Sequence, residues 1–235
     1  MFYVWFTYGP GMAQETRPDP APNLSDPAPQ DSRSRILDAA LQVYRTKGYT
    51  AATVDDLCAA AGVTKGSFFH HFSSKEAMTL VAVEHWNTHT GSLFEQAPFQ
   101  RLADPRDRVL GYIDFRKELL RGAVPDFTCL LGTLVQETFE THPRIRDACN
   151  DGIARHAGNV GRDLAAAKAR YAPAASWDPQ GLALFTQATL QGAFILAKAQ
   201  GGAAIVAQCI DHLRQHVANL LGATAGLALS EEPTP

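Results

Sequence analysis

From Arg33 to about Gly222, apolar residues return every three or four positions, and nowhere do they alternate with a period of two for long enough to make a strand. A chain patterned this way buries its apolar stripes by packing helix on helix, so the predicted fold is all-α. With 235 residues there is enough chain for one large domain or two modest ones with a substantial core. Prolines at 10, 18, 20, 22, 27 and 29, interleaved with Gly, Asp, Ser and Ala, deny residues 1–32 such a core, and a disordered N-terminal extension is expected there. Met12, just after Gly9-Pro10-Gly11, is a second candidate start, and the tail 223–235 is expected to fray.

Local punctuation marks the helix ends. Ile36, Leu37, Ala40, Leu41 and Tyr44 make the stripe of a first helix, stopped by Gly48 as a left-handed cap. Thr53, with Asp56 three residues on, opens a second helix carrying Val54, Leu57, Cys58 and Ala61, which Gly62 ends. Thr64 caps a short third helix. Ser73 and Glu76 have the spacing of a capping box and launch a fourth through Leu80, Val83 and Trp86 to about Phe94. Asp104-Pro105, Pro125-Asp126, His142-Pro143 and Asp178-Pro179 open four more, because proline in a first turn loses no hydrogen bond. Gly201-Gly202 precedes the last, so nine helices are predicted. A supporting helix followed by two short ones joined through Ala61-Gly62-Val63-Thr64 is a helix-turn-helix unit. Residues 33–78 are therefore expected to form a three-helix DNA-binding domain, and residues 79–222 a larger helical domain.

Charge bears on partners. The net charge of −3 argues against a generally cationic nucleic-acid coat, yet residues 33–80 hold six Lys/Arg against four Asp/Glu while both flanking segments are net acidic. The four cysteines form no CxxC or Cys/His spacing, which fits reduced thiols in a cytoplasmic protein. His70 and His71 are adjacent, so their side chains diverge by about 100° and cannot jointly grip an ion. No hydrolase, metalloprotease, P-loop or dinucleotide fingerprint occurs, and neither catalysis nor a metal or cofactor is expected. The opening Met1-Phe2-Tyr3-Val4-Trp5-Phe6 is short and lacks a positive flank, so no signal peptide is expected, and no apolar run of 18 residues predicts a membrane span.

The short third helix has the residue types of a DNA reader. Gly66 removes bulk where backbone must approach a duplex, at about 1 kcal/mol of helix propensity. Thr64 and Ser67 offer short hydroxyls, and the helix N-terminus offers free N–H groups for phosphates. Lys65 can reach a guanine edge or a phosphate, His70 can bond either, and Phe68 either meets a thymine methyl or sits in the core. His71 packs or caps, and Phe72 plugs the three-helix core. Thr53 and Lys75 begin the flanking helices, where phosphate clamping is natural. The expected DNA-binding residues are thus Thr53, Thr64, Lys65, Gly66, Ser67, Phe68, Phe69, His70 and Lys75.

These residues carry a resemblance. Arg35-Ile-Leu-Asp-Ala-Ala-Leu41, Gly48-Tyr-Thr-Ala-Ala-Thr-Val-Asp-Asp-Leu57, Ala61-Gly-Val-Thr-Lys-Gly-Ser-Phe-Phe-His-His-Phe72 and Ser74-Lys-Glu76 closely resemble the N-terminal domain of TetR-family transcriptional regulators. The likeness is nearly gapless over residues 33–80 and architectural beyond. It implies a homodimer, a palindromic double-stranded DNA operator, and a small-molecule pocket whose occupancy weakens DNA binding. One departure is Phe69, where the family commonly has a tyrosine that bonds a phosphate. Phenylalanine keeps the ring but loses that bond, worth about 1 kcal/mol.

In the larger domain Trp86, His89, Tyr112, Phe115, Phe127, Gln136 and Phe139 are candidate lining for a small apolar or aromatic effector, whose identity the sequence does not specify. The last two helices are the natural dimerisation surface, with Phe185, Thr189, Ala193, Phe194, Val206, Ile210, Leu213 and Val217 facing a partner across a four-helix bundle. Alternatives are a DNA-binding factor without a ligand, and an activator instead of a repressor.

Overall fold

The computed structural model describes residues 31–222. Among them are ten α-helices, one short 3-10 turn (Pro98–Arg101) and no strand. The helices are α1 Ser32–Lys47, α2 Val54–Ala61, α3 Lys65–His71, α4 Lys75–Glu95, α5 Pro105–Glu118, α6 Val124–Phe127, α7 Leu130–Thr138, α8 Pro143–Tyr171, α9 Pro179–Gln200 and α10 Ala204–Leu220. The expected extension 1–32 reaches two residues too far. Asp31 accepts the Ser34 N–H at 2.7 Å and Ser32 begins α1, because a carboxylate can satisfy an unpaired first-turn amide. The rest of that extension and the expected tail lie outside the described residues.

The predicted signals act at most helix ends. Thr53 and Asp56 bond reciprocally, Oγ1 accepting from the Asp56 N–H at 3.1 Å and the carboxylate from the Thr53 N–H at 2.9 Å. Gly62 is left-handed at φ 63°. Gly48 has positive φ too (82°), but its ψ of 172° sends the chain straight into extended backbone and not into the expected left-handed cap. No side chain fits there, since a Cβ would collide with the Glu137 carboxylate, which accepts the Thr50 N–H at 2.8 Å. The fourth helix is capped by Ser74, bonding Ala77 N at 3.0 Å, and not by Ser73 as its spacing to Glu76 suggested. The single helix expected from Pro125 to Phe139 is two. Thr128 and Cys129 take extended backbone between α6 and α7, and the Asp126 and Thr128 carbonyls accept from Arg45 of α1 instead of continuing a helical ladder.

Two apolar cores stack along the molecule. The lower joins Ile36, Leu37, Tyr44, Leu57, Phe68 and Phe72 to Met78 and Val83 of α4, and is completed by Leu130, Leu134, Ile145 and Cys149 from α7 and α8. The upper packs α5, α8, α9 and α10 about Ile113, Leu164, Leu190, Phe194 and Ile210. Helix α4 runs from one to the other, with Met78 in the lower and Phe94 in the upper. By length and composition α9 could cross a membrane, yet Leu182, Ala183, Leu190, Ala193, Phe194 and Ala197 on it are buried against its neighbours.

Candidate nucleic-acid interface and cavity

Helix α3, the expected recognition helix, presents Thr64, Lys65, Gly66, Phe69 and His70 to solvent, with Ser67 half-buried. Thr64 Oγ1 caps the helix through the Ser67 N–H at 3.1 Å. Lys65 Nζ lies 2.8 Å from Asp55 Oδ1, which raises its pKa, chiefly through that hydrogen bond. Both side chains are well over half exposed (60% and 67%), so water screens the pair and it yields readily to a phosphate or a base. A Cβ on Gly66 would meet only Thr64 Oγ1, at an ordinary 3.7 Å. Nothing inside the protein demands glycine at that position; the open side faces outward. Phe69 is 54% exposed on α3.

Two predicted reader residues are placed elsewhere. Phe68 is fully buried, its ring 5.7 Å from that of Phe72, so it anchors α3 to the lower core and cannot touch a thymine methyl. Lys75 turns inward: Nζ donates to the Tyr49 and Ala52 carbonyls at 2.9 Å each and sits 4.2 Å over the Tyr49 ring. It pins the α1–α2 turn to the start of α4, and burial lowers its pKa. Thr53 is exposed beside it, its hydroxyl on the Asp56 carboxylate at 2.9 Å. Lys47, with the Thr53 groups, holds that carboxyl down at about 2. Arg35, which the sequence reading passed over, reaches the Gly62 carbonyl at 3.4 Å and braces the turn between α2 and α3. Its charge at the head of α1 was the available signal.

Between the cores lies a cavity of about 290 Å3. Of the expected lining, Trp86, His89 and Phe127 reach it. Leu41 and Arg45 of α1 line it too, so the helix supporting the reader is also a wall of the cavity. Tyr112 instead lines a smaller neighbouring cavity of about 50 Å3, with Phe94 and His156 common to both. Phe115 packs in the aromatic cluster, 5.7 Å from Phe94 and 5.8 Å from Phe99. Gln136 folds back onto the Gly132 carbonyl at 2.6 Å. Phe139 ends α7 with its ring 52% exposed. The residue types of these three suit a lining, but their placement turns them away from it.

Gln187 and His156 of the lining are joined through Tyr112 in a hydrogen-bonded chain. Gln187 Nε2 donates to Tyr112 Oη at 3.1 Å, and Tyr112 Oη meets His156 Nε2 at 2.9 Å. Since an amide nitrogen only donates, Tyr112 gives its own proton to Nε2, and the neutral imidazole carries its hydrogen on Nδ1. Burial, with the nearby Arg116 charge, pushes the His156 pKa down to about 3.

The expected dimer surface is corrected at six of its eight residues. Ala193, Phe194, Val206, Ile210, Leu213 and Val217 are buried within the subunit, because these are the faces α9 and α10 turn to α5, α8 and each other. Phe185 is exposed and Thr189 half-buried. The apolar residues left open on α9 are Leu184, Phe185, Ile195 and Leu196, with Ala188 and Gly192 between them. A Cβ on Gly192 would meet nothing within 4 Å.

Comparison with known proteins settles the lineage. The model of bacterial regulatory proteins of the tetR family matches residues 36–82, and that of the tetracyclin repressor-like C-terminal domain matches residues 105–213. The chain belongs to the TetR family. TetR-family members are transcriptional regulators that bind DNA, and not enzymes. Among curated TetR-family relatives, the transcriptional regulator AcuR of Cereibacter sphaeroides is 30% identical over 128 residues, 54% of this chain and 56% of AcuR. The transcriptional repressor KstR2 of Rhodococcus jostii is 41% identical over 61 residues, 26% of this chain and 29% of KstR2. The matched region thus spans about half the length of the first and less of the second. A crystal structure of the regulatory protein TetR from Rhodobacter sphaeroides superposes with a TM-score of 0.69 at 25% identity, covering 79% of this chain and 98% of that one.

Proposed function

We propose that this TetR-family regulator is a ligand-responsive cytoplasmic repressor, which binds a palindromic double-stranded operator as a homodimer and is released when a small molecule fills the cavity. One observation carries the ligand response: α1, the support of the reader, supplies Leu41 and Arg45 to the cavity wall. Occupancy at that wall bears directly on the placement of α3, and α4 offers a second path from cavity to reader through Trp86 and Phe94. A ligand favouring the non-binding state a hundredfold supplies about 2.7 kcal/mol to the switch. A single reader contacts too few bases for operator-level specificity, and two-fold pairing through the exposed α9 stripe would double the contacts and fix the half-site spacing. Repression is favoured because KstR2, a relative, is named a repressor.

The reading is tested by mobility shift of the intergenic DNA beside the gene, with and without a panel of small organic molecules. Retardation reversed by one class of compound is expected; no retardation at low salt would overturn it. Replacing Ile195 by Arg on the α9 stripe should give a monomer by light scattering and abolish tight operator binding. A native protein that is itself monomeric at micromolar concentration would remove the homodimer.

A further inference from the structure

The cavity contains a guanidinium with no counter-charge. Arg116 comes from α5 and lines the cavity, its Cζ 5.3 Å from the Phe94 ring centroid and 5.8 Å from that of Phe194. Among the described residues it has no hydrogen bond and no ion pair. The rings return part of the hydration it loses, but the donors of its planar fork find no acceptor. Arg45, the other arginine of the lining, places four of its five donors on the Leu41, Asp126 and Thr128 carbonyls and on Gln42. Asp126 is the lining's one carboxylate, and it is also engaged, accepting from the Ala123 N–H at 2.7 Å and from Gln42 at 3.3 Å.

Two more donors stand in the same lining. Thr128 is 1% exposed, and its hydroxyl has no partner among the described residues. His156 holds its Nδ1 proton, as the chain from Gln187 through Tyr112 requires. A buried polar group without a partner is costly, so a site that keeps such donors is shaped for a ligand that accepts from them.

On the reading of this cavity as the effector site, we infer that the effector is a compact organic anion: a carboxylate held by the Arg116 fork on a small apolar body lodged among Phe94, Phe127 and Phe194. A planar guanidinium matches a carboxylate with two parallel N–H bonds. One unpaired arginine balances one negative charge, whereas a phosphate monoester brings about −1.5 to −2. A cationic ligand would meet Arg116 at close range with no free carboxylate to receive it. At about 290 Å3 the space lies at the small end of known ligand pockets, which suits a body of one or two rings or a short chain.

The test uses the full-length protein and matched pairs that differ only in charge: benzoate with benzamide, cinnamate with cinnamamide, hexanoate with hexanamide. Titration calorimetry should show at least one carboxylate binding about ten- to a hundredfold tighter than its amide. Arg116→Gln should bring that ratio close to one, while Arg116→Lys, which keeps the charge, retains part of it. The thermal midpoint and operator affinity of the ligand-free variants report whether the fold survives; should Arg116→Gln not fold, the wild-type pairs and Arg116→Lys still decide. Amides binding as well as their acids, a preference that persists in Arg116→Gln, or no carboxylate of the set binding at all would overturn the inference. Operator release is scored separately. A carboxylate held by Arg116 that leaves DNA retarded keeps the anion site and sinks the effector role, and release by amides and acids alike does the reverse.

Discussion

Arg45 on α1 donates from Nη1 to the carbonyl of Asp126 at 3.1 Å, tying the helix behind the DNA reader to the rim of the cavity. The same guanidinium bonds the Thr128 carbonyl at 3.4 Å and lies 5.1 Å over the Trp86 ring. Arg45→Met keeps an apolar stem against Trp86 and removes these bonds. It should lower the unfolding free energy by about 2 kcal/mol in a urea titration. It should leave operator binding of the free protein within a few-fold and blunt release by effector. Undiminished release would show that the signal takes another route.

Gly66 separates stability from recognition. A Cβ there has ordinary clearance inside the protein, so Gly66→Ala should hold or raise stability by up to about 1 kcal/mol. Against a duplex the same methyl group obstructs close approach, and operator affinity should fall by about tenfold or more. Denaturant melts and mobility shifts on one preparation check both halves. Equal affinity would mean that the backbone at Gly66 does not approach DNA.

Lys75 should act on the reader without touching phosphate. Lys75→Met leaves the Tyr49 and Ala52 carbonyls without their donor and should destabilise the protein by about 2 kcal/mol. The slope of log affinity against log salt should stay unchanged, whereas loss of a true phosphate contact reduces it by about one. A slope reduced by one in this variant would return Lys75 to the interface.

His156 sets an acid-side dependence. Its pKa is depressed from an ordinary 6.5 to about 3, so the native ring stays neutral while the unfolded one takes up a proton. Its contribution is fully present above about pH 6.5 and is lost as pH falls from there toward 3. Across that window the stability of the wild type should fall more steeply than that of His156→Gln, by up to about 1.4 kcal/mol per pH unit. Parallel curves from chemical denaturation at a series of pH values would show that the ring is protonated in the native state.

Helix starts were readable because neighbours a few residues apart decide them: Thr53 with Asp56, Thr64 with Ser67, and the Asp-Pro pairs at 104 and 178 all act locally. The break between α6 and α7 was not, since its carbonyls are claimed by Arg45 some eighty residues earlier. Phe68 and Phe69 are alike as letters, and only the phase of α3 against α1 decides that the first is buried and the second exposed. Helix α9 is apolar around most of its girth, so its pattern could not tell the side facing α8 and α10 from the side with Leu184, Ile195 and Leu196. Arg116 went unnoticed for a related reason: a cation on a mid-chain helix reads as solvated surface until its aromatic neighbours from α4 and α9 are in place.

Because Leu41 and Arg45 serve the reader and the chamber at once, heads and bodies of such a protein are not interchangeable parts. Transplanting residues 31–74 onto a foreign sensor would give that sensor's chamber an ill-fitting side and take Arg45 away from the carbonyls of Asp126 and Thr128 that it bonds here. A hybrid built to answer a new promoter would need positions 41, 42 and 45 rewritten for its new chassis. Libraries that vary only the recognition turn should return inducible hybrids less often than libraries that vary those three positions as well.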